Sequence, residues 1–379
     1  MIPGGRKTGV PPIGGDRGLC FAGHYFMLAN NHKALFQSGL TPLFSYPMNP
    51  DRYHQLTLWA QTCLADSSAQ LLLISGDASF RRYYRGHGLI WVDAPPQTEK
   101  NREFVRNAAA LHLAGIVAPE VKAVDYEQGF LCVSDLGDCS LLSRLNSHSV
   151  TAWYAKAIAL LPGIARVSLE LEPFDAAFMA RENSIFPEWL LTTHLQLTLT
   201  PGERQLLERT FAQLTANNLA QPQVTMHRDF HSRNLMVLPD DGLAVIDFQD
   251  MVRGPLTYDL LSLLKDCYVR WPDAVLAEGL SLGYQGYAEA GLLAGLSHAE
   301  FAQMAALTGM QRHLKAAGIF TRLHHRDGKS GYLKDIPRTL SYVQQVAEAD
   351  PALADFAQWL TSRVLPHFAY QPEEAPCGL

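Results

Sequence analysis

Two short segments constrain this chain more than anything else in it. The first is His227-Arg228-Asp229-Phe230-His231-Ser232-Arg233-Asn234, and the second is Ile246-Asp247-Phe248-Gln249-Asp250. Asp247 follows Asn234 by 247 − 234 = 13 residues. Three short β-type runs, Val224–Met226, Leu235–Val237 and Ala244–Ile246, flank the two segments. Loops joined by so short a hairpin bring Asp229, Asn234 and Asp247 to one point. The first segment fits H-R-D-x-x-x-x-N at every specified position, a pattern used for phosphoryl transfer. A nucleoside triphosphate carries a divalent cation, and Mg²⁺ takes oxygens from one or two carboxylates together with phosphates and water. Asn234 and Asp247 are the candidate metal ligands. Asp229 is the candidate catalytic base, placed to orient an acceptor hydroxyl and take its proton.

Composition agrees with a folded, globular carrier for these loops. Apolar residues make up 47% and charged residues 18% of the 379 positions, which excludes a disordered, collagen-like or coiled-coil chain. The net charge is 31 − 37 = −6, so the cationic footprint of a non-specific nucleic-acid binder is missing. The six cysteines include no C-x-x-C pair, which argues against a zinc site or disulfide framework and suits a reducing compartment. No stretch approaches the ~20 apolar residues of a membrane span. The apolar run 19–29 follows Arg6, Lys7 and Arg17, but His24 interrupts it and no small-x-small cleavage site follows. A cytoplasmic monomer is expected, with no nucleic-acid or membrane partner.

Along the chain, residues 1–18 hold six Gly and three Pro, too many breakers for a regular element. Met48 begins a segment that reads like an ordinary amino terminus, so 1–47 is expected to be a disordered or dispensable extension. Residues 71–135 are strand-rich: Leu71–Ile74, Tyr83–Arg85, Leu89–Val92, then a hairpin of 121–126 and 130–134 around Gly129. One helix is expected over 97–115, with Thr98 as N-cap and Gly115 as terminator. From 140 onward helical spacing dominates, with a β insert at the start of that region. Thr200-Pro201-Gly202-Glu203 is a capping box, and helices are expected over 256–268 and 299–323. Asp135–Asp138 is the expected hinge. The fold class that follows is α+β: a small β-rich lobe, a linker and a larger helical lobe.

A weaker signal is the turn Ser75-Gly76-Asp77-Ala78-Ser79-Phe80-Arg81-Arg82 between two strands. Such a turn can present backbone N–H groups to phosphates. Ser75, Gly76, Asp77, Ser79, Arg81 and Arg82 are the candidate nucleotide contacts. Arg85 adds a further cation that either reaches phosphate or is solvated.

The stretch 223–270 resembles the aminoglycoside phosphotransferase and choline kinase family. Within it the chain is similar to the branch of anomeric N-acetylmuramate and N-acetylglucosamine kinases. The pieces that carry this are G-D-A-S-F-R-R-Y-Y-R (76–85), V-D-A-P-P (92–96), F-L-C-V-S-D-L-G-D (130–138), D-F-Q-D (247–250) and Q-R-H-L-K-A-A-G-I-F-T-R-L (311–323). The resemblance covers 48–370. It implies a bilobal protein-kinase-like fold, with a nucleotide-binding lobe at 48–137 and a helical lobe at 138–379 bearing the catalytic, metal and substrate sites. It further implies ATP and Mg²⁺ as cofactors and a small amino sugar as acceptor, phosphorylated at the C1 hydroxyl in cell-wall recycling. An aminoglycoside or choline-like alcohol is the alternative acceptor, and a kinase-fold regulatory protein the more distant alternative.

One feature departs from the kinase pattern. The third strand, Leu89-Ile90-Trp91-Val92-Asp93, lacks the lysine that holds the nucleotide phosphates. Lys100, Arg81 or Arg82 can take that role, with Glu99 or Glu103 as its partner. Asp259 either braces the catalytic loop, as the resemblance implies, or is a helix N-terminal acid favoured by the dipole. Arg233, Asp250, Arg312 and His313 are candidate substrate contacts. For Arg312 the reason is that a planar guanidinium binds a carboxylate bidentately; a charge on a packed helix is the other reading.

Overall fold

Strand alternation builds the small lobe. The computed structural model describes residues 50–75 and 81–368; the expected extension at 1–47, and Gly76, Asp77 and Ser79 of the expected phosphate turn, lie outside the described residues. The lobe runs α1 (Pro50–Leu64), β1 (Leu72–Ser75), β2 (Arg82–Gly86), β3 (Leu89–Asp93), α2 (Asn101–Leu113), β4 (Val121–Asp125) and β5 (Phe130–Ser134). The strands form one antiparallel sheet in the order β1-β2-β3-β5-β4. Because side chains alternate faces, Tyr83, Ile90, Val92, Leu131 and Val133 pack with Phe104 and Ala108 of α2. Tyr84, Trp91, Phe130 and Cys132 pack on the other face with Leu56 and Ala60 of α1. Both faces are therefore covered, which is why β3 reads as an unbroken apolar run.

Gly129 turns the β4–β5 hairpin at φ +72, and a Cβ there would stand 2.1 Å from the Ala94 carbonyl. The Ala94 N–H donates to the Gly129 carbonyl at 2.8 Å, so the turn locks onto the end of β3. The linker at 135–138 is pinned by Arg85, whose guanidinium donates to both carboxylate oxygens of Asp135 (2.6 and 3.0 Å) and of Asp138 (2.8 and 2.9 Å). Arg85 thus joins strand β2 to the passage between lobes, and its charge is engaged there.

The large lobe continues with α3 (Val150–Ile158), α4 (Leu161–Ala165), α5 (Ala176–Asn183), a π-helical stretch Phe186–His194 and α6 (Pro201–Ala220). A β insert follows: β6 (Gln223–Met226), β7 (Leu235–Val237), β8 (Leu243–Val245) and β9 (Val252–Pro255). It ends with α7 (Tyr258–Leu264), α8 (Asp273–Glu289), α9 (His298–Asp327), α10 (Ile336–Ala349) and α11 (Ala354–Trp359). β6 pairs with β9 and β7 with β8, so two ribbons hold the loops that follow β6 and β8. α9 runs against the 185–194 stretch, and Gly318 permits it: a Cβ there would sit 2.5 Å from the Ile185 carbonyl.

Several boundaries differ from the sequence expectations. The helix expected over 97–115 begins at Asn101 without a side-chain cap. Thr98 instead donates from its hydroxyl to the Pro95 carbonyl, inside the turn that Pro95-Pro96 impose. The helix expected over 256–268 is only Tyr258–Leu264, because the Asp266 carboxylate is drawn to Ser232 and to the Tyr268 N–H. The β insert lies in the middle of the lobe, after α6, and β9 was not anticipated; Gly254 and Pro255 disguise it as a loop. α9 is longer than expected at both ends, from the Ser297–Glu300 capping box to Gly328 at φ +69.

The capping box at Thr200 gives α6 its start as expected. The Thr200 hydroxyl accepts from the Glu203 N–H, and Glu203 Oε2 accepts from the Thr200 N–H at 2.7 Å. Glu203 Oε1 also accepts from Trp359 Nε1 (3.0 Å) and Arg363 Nε (3.1 Å), tying α6 to the carboxy-terminal helices. Bonding from the Thr200 backbone foremost, and then from these side chains, holds the Glu203 carboxyl down at about 2, against an ordinary 4.5. A lowered carboxyl stabilises the fold above its unfolded value, and that contribution is lost as pH falls through the folded one. Glu203→Gln should therefore lower the melting temperature between pH 7 and about 4.5, with the gap to wild type closing as pH approaches about 2. Thermal melts across that pH series check this; a gap independent of pH would assign the effect to lost packing.

Candidate active site

The two loops meet because backbone groups are clamped by buried acids and by one histidine. The Asp259 carboxylate, at the start of α7, accepts from the His227 N–H (2.6 Å) and the Arg228 N–H (2.8 Å). Asp259 thus braces the catalytic loop. Burial pushes its carboxyl up to about 7, against those two donors. Asp266, from the end of α7, accepts from the Ser232 hydroxyl (2.5 Å) and N–H (3.2 Å) in the same loop. His227 is fully buried, and its Nε2 donates to the Ile246 carbonyl at 3.0 Å. Burial lowers His227 to about 4, so it is neutral and joins the first loop to the strand that leads into the second.

Arg228 at φ +81 and Asp247 at φ +64 hold left-handed backbone conformations that side-chain-bearing residues rarely adopt. Such strain persists only where surroundings over-determine it. Here the Asp259 clamp and the β7–β8 hairpin do so, and Asn234 bridges the two turns. Asn234 Nδ2 donates to the Asp229 carbonyl (3.0 Å) and to Asp247 Oδ2 (3.1 Å). Gln249 Nε2 donates to the other carboxylate oxygen, Asp247 Oδ1, at 2.8 Å. Asp247 is therefore held from both sides by amides, and Asn234 is left with its amide oxygen to offer a cation.

This donor set fits Mg²⁺ bound to phosphates. Among the described residues no group of three or more His, Cys, Asp or Glu is placed to hold a metal by itself. One carboxylate and one amide oxygen are an incomplete shell, and Mg²⁺ completes such shells with substrate phosphate and water.

The surroundings of Asp229 are cationic. Glu182 at the end of α5 accepts from Arg228 Nη2 and from Lys315 Nζ of α9, each at 2.7 Å, and Glu182 is only 4% exposed. Burial alone would raise the Asp229 carboxyl, but Lys315, Arg228, His231 and Arg312 outweigh it and hold Asp229 well below the usual carboxylate range. Asp229 is an ionised, weak base set in a positive field.

The remaining expected site residues are distributed unevenly. Arg312 is buried on α9, with Nη1 3.6 Å from Cys267 Sγ, and its charge reaches Asp229. His313 points elsewhere: its Nε2 donates to the Lys265 carbonyl at 2.8 Å and its ring stacks on Tyr342, so it belongs to the core of the lobe. Arg233 lays its guanidinium 3.5 Å above the Tyr268 ring. Asp250 pairs with Lys100 of the small lobe at 2.5 Å and lies 4.0 Å from Arg228 Nη1. Arg81 is 1% exposed and pairs with Glu99 at 3.0 Å. Arg82 is on the opposite face of β2, beside Tyr84 and the α1 packing. The backbone of Ser75 closes β1.

Sequence reasoning missed Glu182 and Gln249. Glu182 carries no local motif, since its importance arises from the meeting of α5, α9 and the catalytic loop. Gln249 had a signal: an amide two residues after a candidate metal-binding aspartate can turn back to it.

The Phosphotransferase enzyme family model matches residues 70–293. An N-acetylmuramate/N-acetylglucosamine kinase of Pseudomonas putida is 38% identical over 82% of this chain and 96% of its own. A protein of the same description from Pseudomonas aeruginosa is 37% identical, with the same coverage of both chains. Among solved structures, a choline/ethanolamine kinase family protein from Mesorhizobium loti superposes with a TM-score of 0.57 at 13% identity, over 82% of this chain and 100% of that one. That similarity is one of fold, and it makes the two lobes those of a protein-kinase-like architecture. With both catalytic loops inside the matched region, the chain belongs to the phosphotransferase enzyme family.

Proposed function

We propose that this phosphotransferase is an ATP-dependent amino-sugar kinase that phosphorylates the C1 hydroxyl of N-acetylmuramate and N-acetylglucosamine in the recycling of cell-wall peptidoglycan. The structural observation that carries the acceptor class is Arg312, a buried guanidinium on α9 whose charge reaches Asp229. Lys315 and Arg228 are both balanced by Glu182, so Arg312 is the cation beside Asp229 that can meet the lactyl carboxylate of muramate. The names of the relatives at 37–38% identity support the same reading.

In this reading Asn234 and Asp247 would hold Mg²⁺, which would neutralise charge on the nucleotide phosphates. Asp229 accepts the proton of the sugar hydroxyl as that oxygen bonds to the γ-phosphorus and the bond to the ADP oxygen breaks. A weak base suffices because the transition state is loose and catalysis rests on positioning. An anomeric hydroxyl, more acidic than an ordinary alcohol, asks least of such a base. Arg312 meets the carboxylate of the acceptor. The reading takes the enzyme as a cytoplasmic monomer, where ATP is plentiful; among the described residues no helix is long and apolar enough to cross a membrane.

A coupled ADP-release assay over N-acetylmuramate, N-acetylglucosamine, kanamycin and choline tests the acceptor class. Turnover is expected with the two sugars and none above background with the two cations; the reverse pattern would overturn the reading. The regiochemistry has its own test. A methyl glycoside blocked at C1 should not react, and phosphorus NMR should show an anomeric phosphate from the free sugar. Equal rates for the blocked and free sugars would exclude transfer to C1.

A further inference from the structure

We infer that Arg81, held by Glu99, is the nucleotide-phosphate clamp of this enzyme and stands in for the strand lysine that the chain lacks. The inference rests on the phosphotransferase reading and names a binding residue that reading leaves open. β3 carries Leu89, Ile90, Trp91, Val92 and Asp93, so no cation can come from the usual strand. Lys100, Arg81 and Arg82 are the three candidate substitutes, and their surroundings separate them.

Lys100 is 54% exposed at its side chain and is spent on Asp250 across the cleft at 2.5 Å. Arg82 is one residue out of phase. Alternation along β2 puts position 82 with Tyr84, whose ring packs with Leu56 and Trp91 on the α1 side of the sheet. Arg81 shares the phase of Tyr83, which belongs to the core cluster on the α2 side, where Phe104 meets Phe248 of the second loop. It directly follows the turn expected to cover the phosphates, and its guanidinium lies in the field of both Asp247 and Asp250.

Burial gives the decisive argument. Arg81 is 1% exposed and Glu99 5% exposed, with Arg81 Nη2 3.0 Å from Glu99 Oε2. A desolvated ion pair is weak evidence for stability, because the cost of stripping water offsets the attraction. Its presence beside the metal loop calls for another reason. Glu99 is the carboxylate paired with Arg81, with Asp247 and Asp250 acting on it from the second loop, and a triphosphate brings further negative charges into the same cleft. A guanidinium presents five N–H donors in a rigid fork, enough to keep Glu99 and still meet phosphate oxygens. Glu99, ahead of the first turn of α2, would fix the fork's direction. Glu99 is thus a positioning residue, and α2 is linked to the nucleotide through it.

Isothermal titration with three ligands separates a phosphate contact from a structural one. Wild type, Arg81→Met, Arg81→Lys and Glu99→Gln are each titrated with adenosine, ADP and Mg²⁺–ATP, without sugar. Arg81→Met should keep adenosine affinity within about twofold of wild type and lose about tenfold or more for ADP and ATP. Arg81→Lys keeps the charge without the fork, so its loss should be smaller than that of Arg81→Met. Glu99→Gln should fall between wild type and Arg81→Met. Unchanged ADP and ATP affinities in Arg81→Met would overturn the inference, as would a parallel loss of adenosine, which marks a merely structural role. If Arg81→Met does not fold, the folded Arg81→Lys decides: equal losses for adenosine and ATP refute the clamp. A wild type that binds neither ADP nor ATP would instead refute the kinase reading on which the clamp depends.

Discussion

Asp229→Asn should lower kcat by on the order of 10²-fold or more while leaving Mg²⁺–ATP affinity nearly unchanged. The substitution is isosteric, and the loop does not depend on the carboxylate for its shape. The backbone carbonyl of Asp229 receives the Asn234 amide, and the neighbouring N–H groups of His227 and Arg228 are taken by Asp259. What the variant removes is the proton acceptor and the negative charge that Lys315, Arg228 and Arg312 surround. KM for the sugar should therefore move far less than kcat. The same surroundings predict the pH profile. Because those cations hold Asp229 well below the usual carboxylate range, the wild-type kcat should show no acid limb at the ordinary aspartate pKa of about 4. Steady-state kinetics against pH, with both substrates saturating, check both statements. Wild-type turnover in Asp229→Asn would remove Asp229 from the role of base.

How far the sequence foretold this site depended on whether the relevant partners were local. Asp229, Asn234 and Asp247 were legible because their spacing and the β runs between them define a strand–loop–strand unit within some twenty-five residues. The small lobe was legible for a similar reason, since hairpins pair neighbours and alternation shows which side chains share a face. The buried charges beside Asp229 were only partly legible. Arg312 stood out as a guanidinium among apolar positions, but its neighbour His313 looked equally eligible and is turned into the core against Tyr342. One helical position rotates a side chain by about 100°, and nothing in 311–323 alone says which face meets the catalytic loop. Glu182 was beyond reach, because its two partners are 46 and 133 residues away (228 − 182 and 315 − 182). β9 was hidden by Gly254 and Pro255, which signal a loop unless the partner strand β6 is known. The choice among Lys100, Arg81 and Arg82 turned on burial and on the phase of β2, and the first of these has no one-dimensional signature.

Asp247→Ala should abolish most of the gain in ATP affinity that Mg²⁺ confers, and catalysis with it. Asp247 is the one candidate ligand that carries a formal charge, and its two oxygens are held by Asn234 at 3.1 Å and Gln249 at 2.8 Å. Replacing it removes a carboxylate ligand from a shell that the protein already leaves to phosphate and water. Asn234→Ala should weaken Mg²⁺–ATP binding less, since it takes away a neutral oxygen and one of the two amides that orient Asp247. The sign reverses without the metal. A carboxylate facing a triphosphate repels it, so in the presence of a chelator Asp247→Ala should bind ATP at least as tightly as wild type. The predicted signature is therefore a collapse of the difference between titrations with Mg²⁺ and with chelator, approached from both ends. Isothermal titration under the two conditions reads it directly. A wild-type dependence on Mg²⁺ in this variant would place the metal away from Asp247, and the pairing of amides on its carboxylate would then have to serve the backbone strain at φ +64 instead.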